Sequence, residues 1–122
     1  MPHQRLFWDT AAMLDPAANR LRAESMSRRG TSRGELRAMF ETAGLTAAEE
    51  DAETIWMEFS DFDDYWNPIL GGEGTLGKYV AALPPDAAAT LARHLRAGYE
   101  AGAPDGPRAF AATALVCRCR VR

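Results

Sequence analysis

Three features are scarce or missing in this sequence, and each absence excludes a class of protein. Positive charge does not exceed negative charge: the formal net charge is −3 at pH 7. This argues against nucleic acid as a partner, because phosphate binding needs a basic field. No apolar run is long enough to cross a bilayer, and the N-terminus lacks the pattern of a secretory signal. We therefore expect a cytoplasmic protein with neither a nucleic-acid nor a membrane partner.

Cysteine is also scarce, which bears on metal binding and redox chemistry. The two cysteines, Cys117 and Cys119, are two residues apart in a segment with the pattern of a strand. At that spacing their side chains share a strand face with Cα atoms about 6.5–7 Å apart, at or beyond disulfide reach. A C-x-C pair with no histidine or further cysteine nearby is a poor metal signature. We expect structural thiols and no metal site.

Length and composition indicate one folded unit. Apolar residues make up 47% of the 122 residues and charged residues 25%, as in ordinary soluble globular proteins. A chain of this length buries roughly two thirds of the surface that it exposes when unfolded. We therefore expect a single domain, residues 1–122.

The most informative stretch, residues 54–72, is named here the aromatic corner. Residues 55–59 alternate as a strand does, whereas after Ser60 the apolar residues recur at helical spacing. Ser60 is placed to cap that helix, and acidic residues fill the first turn, where the helix dipole favours negative charge. The aromatic side chains of this stretch either belong to a core or face a ligand, and composition leaves both interpretations open. They are Trp56, Phe59, Phe62, Tyr65 and Trp66.

Local patterns predict four to five helices. An apolar stripe predicts the first from Gln4 to Leu14, and a solvated second helix follows it. The clearest runs from Arg33 to Ala43, where Ser32 and Glu35 fit a capping box and Gly44 suits a left-handed Schellman end. The apolar stripe of this helix is expected to be buried: Leu36, Met39, Phe40 and Ala43.

Glycine and proline mark the boundaries in the second half. The glycines of Glu73–Gly77 invite comparison with a phosphate-binding loop, but no strong apolar strand precedes them and no Lys-Ser or Lys-Thr pair follows. We predict an ordinary loop there, then a short amphipathic turn, and a longer helix with Pro85 in its first turn. His3 has no neighbour at a catalytic spacing and is predicted to be a frayed terminal residue.

Two segments, residues 47–59 and 108–121, have the pattern of strands. Apolar side chains on both faces of Phe110–Val116 predict that the second strand is covered on both sides. The acidic start of the first strand is interpreted as a solvated strand end. The expected fold is therefore α+β, with four to five helices packed on a two-stranded antiparallel sheet.

Taken in order, these elements resemble the C-terminal part of class I S-adenosylmethionine-dependent methyltransferases, specifically the type 11-like members that modify small molecules. The likeness rests on four blocks: F-W-D-T-A-A-M-L-D-P (Phe7–Pro16), R-G-E-L-R-A-M-F-E-T-A-G-L (Arg33–Leu45), F-S-D-F-D-D-Y-W-N-P-I-L-G-G (Phe59–Gly72) and the closing strand. Together they cover nearly the full length.

The resemblance implies a role for each piece. The two strands would be the sixth strand and the antiparallel seventh strand of the family's sheet. The aromatic corner and the helices after it would form part of the acceptor-substrate pocket. The resemblance thus makes candidate substrate-binding residues of Trp56, Phe59, Phe62, Tyr65 and Trp66.

The family's methyl-donor site has no counterpart in this sequence. That site needs a Gly-rich turn after the first strand and an acidic residue after the second. We therefore expect a fragment or remnant of a methyltransferase that is catalytically inactive alone, with no catalytic residue and no cofactor in this chain. The acidic residues at 61–64 are better explained as helix first-turn charges.

The resemblance also bears on partners. In the family the seventh strand lies between the fifth and the sixth, so residues 108–121 would have an unpaired edge, which recruits another chain. We expect a homodimer through this edge, or an association with a missing N-terminal methyltransferase half. The alternative is a non-catalytic homodimeric binding or assembly module that keeps the substrate cap. A small-molecule ligand fits either interpretation.

Overall fold

The computed structural model describes residues 2–121 and has an α+β fold, as predicted. Within this part of the chain there are six helices rather than four to five, because a helix occupies most of the predicted Gly-rich loop. The elements in order are α1 (Pro2–Leu14), α2 (Ala18–Met26), α3 (Glu35–Thr42), β1 (Thr46–Phe59), α4 (Phe62–Leu70), α5 (Gly74–Ala81), α6 (Pro85–Glu100) and β2 (Arg108–Arg120). None of these helices is long and apolar enough to cross a membrane.

The two strands pair antiparallel over almost their whole length, which confirms the predicted sheet. Phe59 lies opposite Arg108, and Glu49 lies opposite Arg118, with one irregularity between Thr46 and Glu49. The register places Ile55, Met57 and Phe59 on one face of β1, because side chains alternate along a strand. Three helices, α4 to α6, separate the strands in sequence, so the pair is not a hairpin.

One hydrophobic core holds five of the six described helices together, all but α3, and only part of the sheet reaches it. We call residues 57–59 and 108–112 the near end of the sheet, and residues 46–53 and 114–120 the far end. At the near end Phe59 and Phe110 pack against the core. Helix α6 contributes Leu91, Leu95 and Tyr99 to it. The buried members are Phe7, Trp8, Ala11, Ala18, Phe62, Tyr65, Trp66, Val80, Leu91, Leu95 and Tyr99.

The predicted burial of the α3 stripe is wrong. Helix α3 contains no buried residue, and Met39 is 49% exposed. The helix packs mainly against the two strands at the far end, which offer too little surface to cover a full stripe. Its C-terminal end is as predicted: Gly44 has φ 82°, and the Leu45 N–H donates to the Phe40 carbonyl at 3.1 Å.

The N-terminal end of α3 differs from the predicted capping box. Glu35 Oε2 does accept from the Ser32 N–H at 3.1 Å. The reciprocal bond, from the Glu35 N–H to the Ser32 hydroxyl, is missing: the Glu35 N–H donates to the Ser32 carbonyl instead, and the N-cap is Gly34, which has no side-chain hydrogen bond. Instead the Gly34 N–H donates to Glu50 Oε1 at 2.6 Å. The Glu50 carboxylate of β1 therefore takes the place of the predicted Ser32 cap.

The predicted two-sided cover of Phe110–Val116 is also wrong. Ala112 is 5% exposed, whereas Val116 is 50% exposed. The half-buried residues change face along the strand, from the even-numbered Phe110 at the near end to Leu115 and Cys117 at the far end. The core helices thus cover one face at one end, and α3 covers the opposite face at the other.

Candidate functional site

The aromatic corner turns from strand to helix where the sequence predicts, but with a different cap. Asp61, not Ser60, is the N-cap of α4, and its Oδ1 accepts from the Asp64 N–H at 2.9 Å. Asp64 Oδ2 in turn accepts from the Ser60 N–H at 3.0 Å. Two carboxylates therefore satisfy free backbone donors reciprocally, as in a capping box, and the chain direction is fixed at this corner.

The five candidate aromatic residues do not all lie together. Phe62, Tyr65 and Trp66 are 2%, 3% and 8% exposed, so they are part of the core. Phe59 is half-buried and meets Tyr65 edge-on, with ring centroids 5.4 Å apart. Trp56 is 66% exposed and lies on the other face of β1. The structure therefore brings four of the five into one cluster and leaves Trp56 apart from it.

An ion-pair network holds α4 against α6 behind this cluster. Arg96 donates to Asp105 at 2.8 Å and to Asp63 at 2.9 Å, and its guanidinium lies 4.5 Å from the centroid of the Phe62 ring. Asp105 also accepts from the Phe62 N–H at 2.9 Å. This bond, together with the Gly106 N–H and Arg96, lowers the pKa of the Asp105 carboxyl. The network therefore holds the start of α4, and with it the Phe62 ring, in a fixed position against α6.

A cavity of about 330 Å³ opens on the exposed side of the cluster. It lies between the start of α1, the near end of β1, the end of α4 and the start of α5. Its polar lining consists of His3, Gln4, Glu73 and Thr75. Its apolar lining consists of Met57, Phe59, Tyr65, Pro68, Ile69 and Leu76. Two of the candidate aromatic residues, Phe59 and Tyr65, thus face an open space of ligand size.

Tyr65 contributes a surface to this cavity rather than an acid or a base. Its hydroxyl donates to the His3 carbonyl oxygen at 3.0 Å. Burial raises the pKa of the phenol well above its ordinary value. The proton therefore stays on the hydroxyl at neutral pH, and the ring is held in a fixed orientation by the bond.

His3 is the cavity residue that sequence reasoning misplaced. It belongs to α1, and its ring centroid lies 6.3 Å from that of Phe59. Its Nδ1 is buried and has no hydrogen-bond partner within residues 2–121. Burial, and secondarily the N-terminal charge, lowers the pKa of the imidazole, so His3 is neutral at pH 7. A single histidine near a terminus carries no periodic signal, which is why the sequence did not reveal it.

Gly77 was also assigned to a loop, although it is a buried residue of α5. A Cβ there would lie 2.7 Å from the carbonyl carbon of Gly72 and 2.9 Å from the carbonyl oxygen of Ile69. Only glycine allows α5 to approach the end of α4 this closely. The repeated glycines of this stretch were the available signal, and they mark close backbone packing rather than a phosphate site.

A second cavity, of about 280 Å³, lies between α1 and α6. Tyr79 borders it and donates its hydroxyl proton to Asp15 Oδ2 at 2.9 Å. Burial, with help from Asp15, raises the pKa of Tyr79 to about 12. The hydrogen bond uses both groups to join α5 to the end of α1. Among residues 2–121 no three His, Cys, Asp or Glu side chains are grouped to hold a metal ion.

Comparison with protein-family models, with curated proteins and with solved structures finds no match for this chain.

Proposed function

We propose that these residues form the acceptor-binding side of a cytoplasmic, S-adenosylmethionine-dependent methyltransferase that modifies a small molecule. In this proposal the methyl donor is held by residues outside the 122 of this chain. The cavity beside the aromatic corner is the single observation that carries the proposal. Part of the region that the sequence resemblance assigns to the acceptor pocket, the aromatic corner and the helices after it, lines an open and largely apolar space.

The order of the elements supports the same proposal. The chain has an antiparallel strand pair separated by three helices, which is the arrangement that the resemblance implies for the sixth and seventh strands with an inserted substrate cap. Nucleotide cofactors in open α/β sheets bind at the carboxyl ends of parallel strands. The two strands described here run antiparallel, so they do not build such an edge by themselves.

Catalysis of methyl transfer depends largely on holding donor and acceptor in line. Residues 2–121 supply a shaped acceptor side, in which the Tyr65 hydroxyl is already bonded to a backbone carbonyl. A chain with only this side is expected to bind an acceptor without transferring a methyl group. Catalytic activity would need a second structural unit that presents the donor to this cavity.

Two measurements test the proposal. Calorimetric titration of the 122-residue chain with S-adenosylmethionine is expected to give no binding heat. The native protein, purified from its source and assayed with methyl-tritiated donor against a small-molecule library, is expected to transfer the label. Donor binding to the chain alone, or a native protein that neither binds the donor nor transfers the label, would contradict the proposal.

A second candidate function is a non-catalytic homodimeric binding module, favoured by the state of the sheet. The sheet has two strands within the described residues, so β2 has one edge without a strand partner. Trp56 and Val116 are exposed by 66% and 50%. An unpaired edge with exposed apolar side chains is suited to pairing with a second chain. Pairing of two β2 edges across a two-fold axis would give a four-stranded sheet.

Light scattering coupled to size exclusion distinguishes this second candidate. A homodimer that is disrupted by Val116→Pro, which removes a backbone donor and bends the strand, would support it. A monodisperse monomer at high protein concentration would exclude it. The exposed surface would then remain available for the donor-binding unit of the first proposal.

A further inference from the structure

The cavity beside the aromatic corner has two unlike sides. The apolar side brings together the Met57 thioether, the Phe59 and Tyr65 rings, and the aliphatic Ile69 and Leu76 side chains. Sulfur and ring edges of this kind favour aromatic ligands, which gain from edge-on and thioether contacts beyond their buried area. The volume of about 330 Å³ is at the small end of ligand sites, which suits one or two fused rings.

The polar side offers uncharged hydrogen-bonding groups and one carboxylate. Gln4 and Thr75 can each donate and accept, and Glu73 accepts. No lysine or arginine is among the lining residues. A carboxylate or phosphate placed here would lose its hydration without gaining a cationic partner, which is costly.

His3 adds no fixed positive charge to this balance. Burial and the N-terminal charge lower its pKa, so its imidazole is neutral at pH 7, and its ring lies beside that of Phe59, tilted by 47°. The start of α5 at Gly74 also borders the cavity, but nearby Glu73 carries negative charge and opposes an anion there. The lining side chains therefore favour a ligand without net charge.

We propose that this cavity binds an uncharged aromatic molecule with a hydroxyl group, a phenol of one or two rings, with the ring against Met57, Phe59 and Tyr65 and the hydroxyl toward Gln4 and Thr75. This inference rests on the proposed function only in naming the phenol as the methyl acceptor. Binding itself needs no donor. It deepens the proposal from an unspecified small molecule to one chemical class.

The test uses three naphthalene-sized probes with the 122-residue chain, followed by ¹H–¹⁵N and methyl NMR. The probes are 2-naphthol, which is neutral at pH 7, 2-naphthoate, which is anionic, and 2-decalol, the saturated analogue of 2-naphthol. We expect 2-naphthol to bind roughly tenfold more tightly than 2-naphthoate because the anion is desolvated without a partner. It is also expected to bind several-fold more tightly than 2-decalol. Shifts should concentrate at Met57, Ile69 and Leu76.

Two variants on one strand face provide a matched control. Met57→Ala shortens a lining side chain and is expected to weaken 2-naphthol binding by roughly three- to tenfold, through lost apolar contact. Ile55→Ala removes an aliphatic side chain two residues away on the same face, outside the cavity, and is expected to leave binding unchanged. A third variant, Glu73→Gln, removes the carboxylate that repels the anion. It should therefore reduce the difference in affinity between 2-naphthol and 2-naphthoate.

Tighter binding of 2-naphthoate, an equal loss in both variants, shifts outside the cavity, or no binding at millimolar 2-naphthol would overturn the inference. These outcomes are separable from those that test the function. If 2-naphthol binds as expected and the native protein transfers no methyl group, the ligand class stands and the methyltransferase proposal fails. If the native protein methylates phenols but the chemical-shift changes lie outside the cavity, the methyltransferase proposal stands and the assignment of the ligand to this cavity fails.

Discussion

The near end and the far end of the sheet are built from the same two strands, yet only the near end belongs to the hydrophobic core. At the near end Phe59 and Phe110 meet Tyr65 with ring centroids 5.4 and 6.3 Å away. At the far end Val116 is 50% exposed, and the neighbouring α3 has no buried residue. An amphipathic pattern therefore leads to burial only where enough partner surface exists to receive it.

The two ends are also held by different forces. Close packing of large side chains stabilises the near end, because each buried ring removes a large apolar area from water. The far end is held by exposed polar contacts: Glu50 accepts from the Gly34 and Arg37 N–H groups, and Arg118 pairs with Glu49. Such exposed pairs contribute little. The far end should therefore open locally before the whole protein unfolds.

The largest expected contrast compares two aromatic residues of the same corner. Phe62→Ala should destabilise the protein by about 3–5 kcal/mol, because it leaves a cavity in the core. Trp56→Ala, on the exposed strand face, should change the unfolding free energy by less than about 1 kcal/mol. Urea denaturation of both variants checks this. Similar losses would mean that Trp56 is covered in solution, for instance by a second chain.

A smaller contrast compares two glycines. Gly77→Ala should cost about 2 kcal/mol, since its Cβ would overlap the backbone of Gly72. Gly34→Ala at the far end meets open space but has φ +85°, and should cost about 1 kcal/mol from backbone strain alone. Thermal unfolding with matched urea curves measures both. A neutral Gly77→Ala would show that α5 does not pack closely on α4.

The next contrast compares two arginines in ion pairs. Arg96 pairs with Asp63, Glu100 and Asp105 and lies over the Phe62 ring, so Arg96→Met should lower the free energy of unfolding measurably, even though the side chain is partly exposed. Arg118→Met breaks one exposed pair and should cost less than about 0.5 kcal/mol. Equal losses of unfolding free energy in the two variants, measured by urea denaturation, would show that the Arg96 ion pairs do not stabilise the aromatic corner.

The smallest expected effect is the dependence of folding stability on pH. The pKa of Asp105 is lowered mainly by the Phe62 N–H, and that of Glu50 mainly by the Gly34 N–H. A carboxyl whose folded-state pKa is depressed contributes stability above its unfolded-state pKa and loses it as the pH falls through the folded-state value. Acidification below about pH 4 should therefore weaken both contacts.

Single variants distinguish the two ends in that experiment. Asp105→Asn should flatten the fall of the global unfolding free energy with acid, because Asp105 is tied to the core. Glu50→Gln should leave global unfolding nearly unchanged and instead speed amide exchange in α3, measured by hydrogen–deuterium exchange. Faster exchange throughout the chain in Glu50→Gln would show that the far end unfolds together with the core.

Much of the fold could be predicted from sequence because the signals were local. The alternation of β1 and β2, the change of period at the corner and the stripe of Leu91, Leu95 and Tyr99 on α6 each depend on residues close in the chain. The Schellman end of α3 at Gly44 is local in the same sense. For the candidate site, the sequence drew attention to Phe59 and Tyr65, whose ring centroids lie 5.4 Å apart; their role in substrate binding stays a prediction.

The rest required knowledge of which surfaces meet. His3 and Met57 line the same cavity although 54 positions apart in the numbering, and no pattern along the chain joins them. The same limitation explains why Trp56 was grouped with Phe59 and Tyr65. Adjacent strand residues point to opposite faces, and which face a helix covers is a tertiary property.

By itself the sequence determined most of the helices and both strands, since caps, glycines and apolar periods act over a few residues, but it missed α5 and the caps of α3 and α4. Only the tertiary structure decided that the stripe of α3 stays exposed, that Gly77 serves close packing, and that a lone histidine borders a cavity. The physical reason is that burial is a relation between surfaces. An apolar pattern shows which side chains of a segment could be buried. Whether they are buried depends on how many other elements pack against that segment, and where.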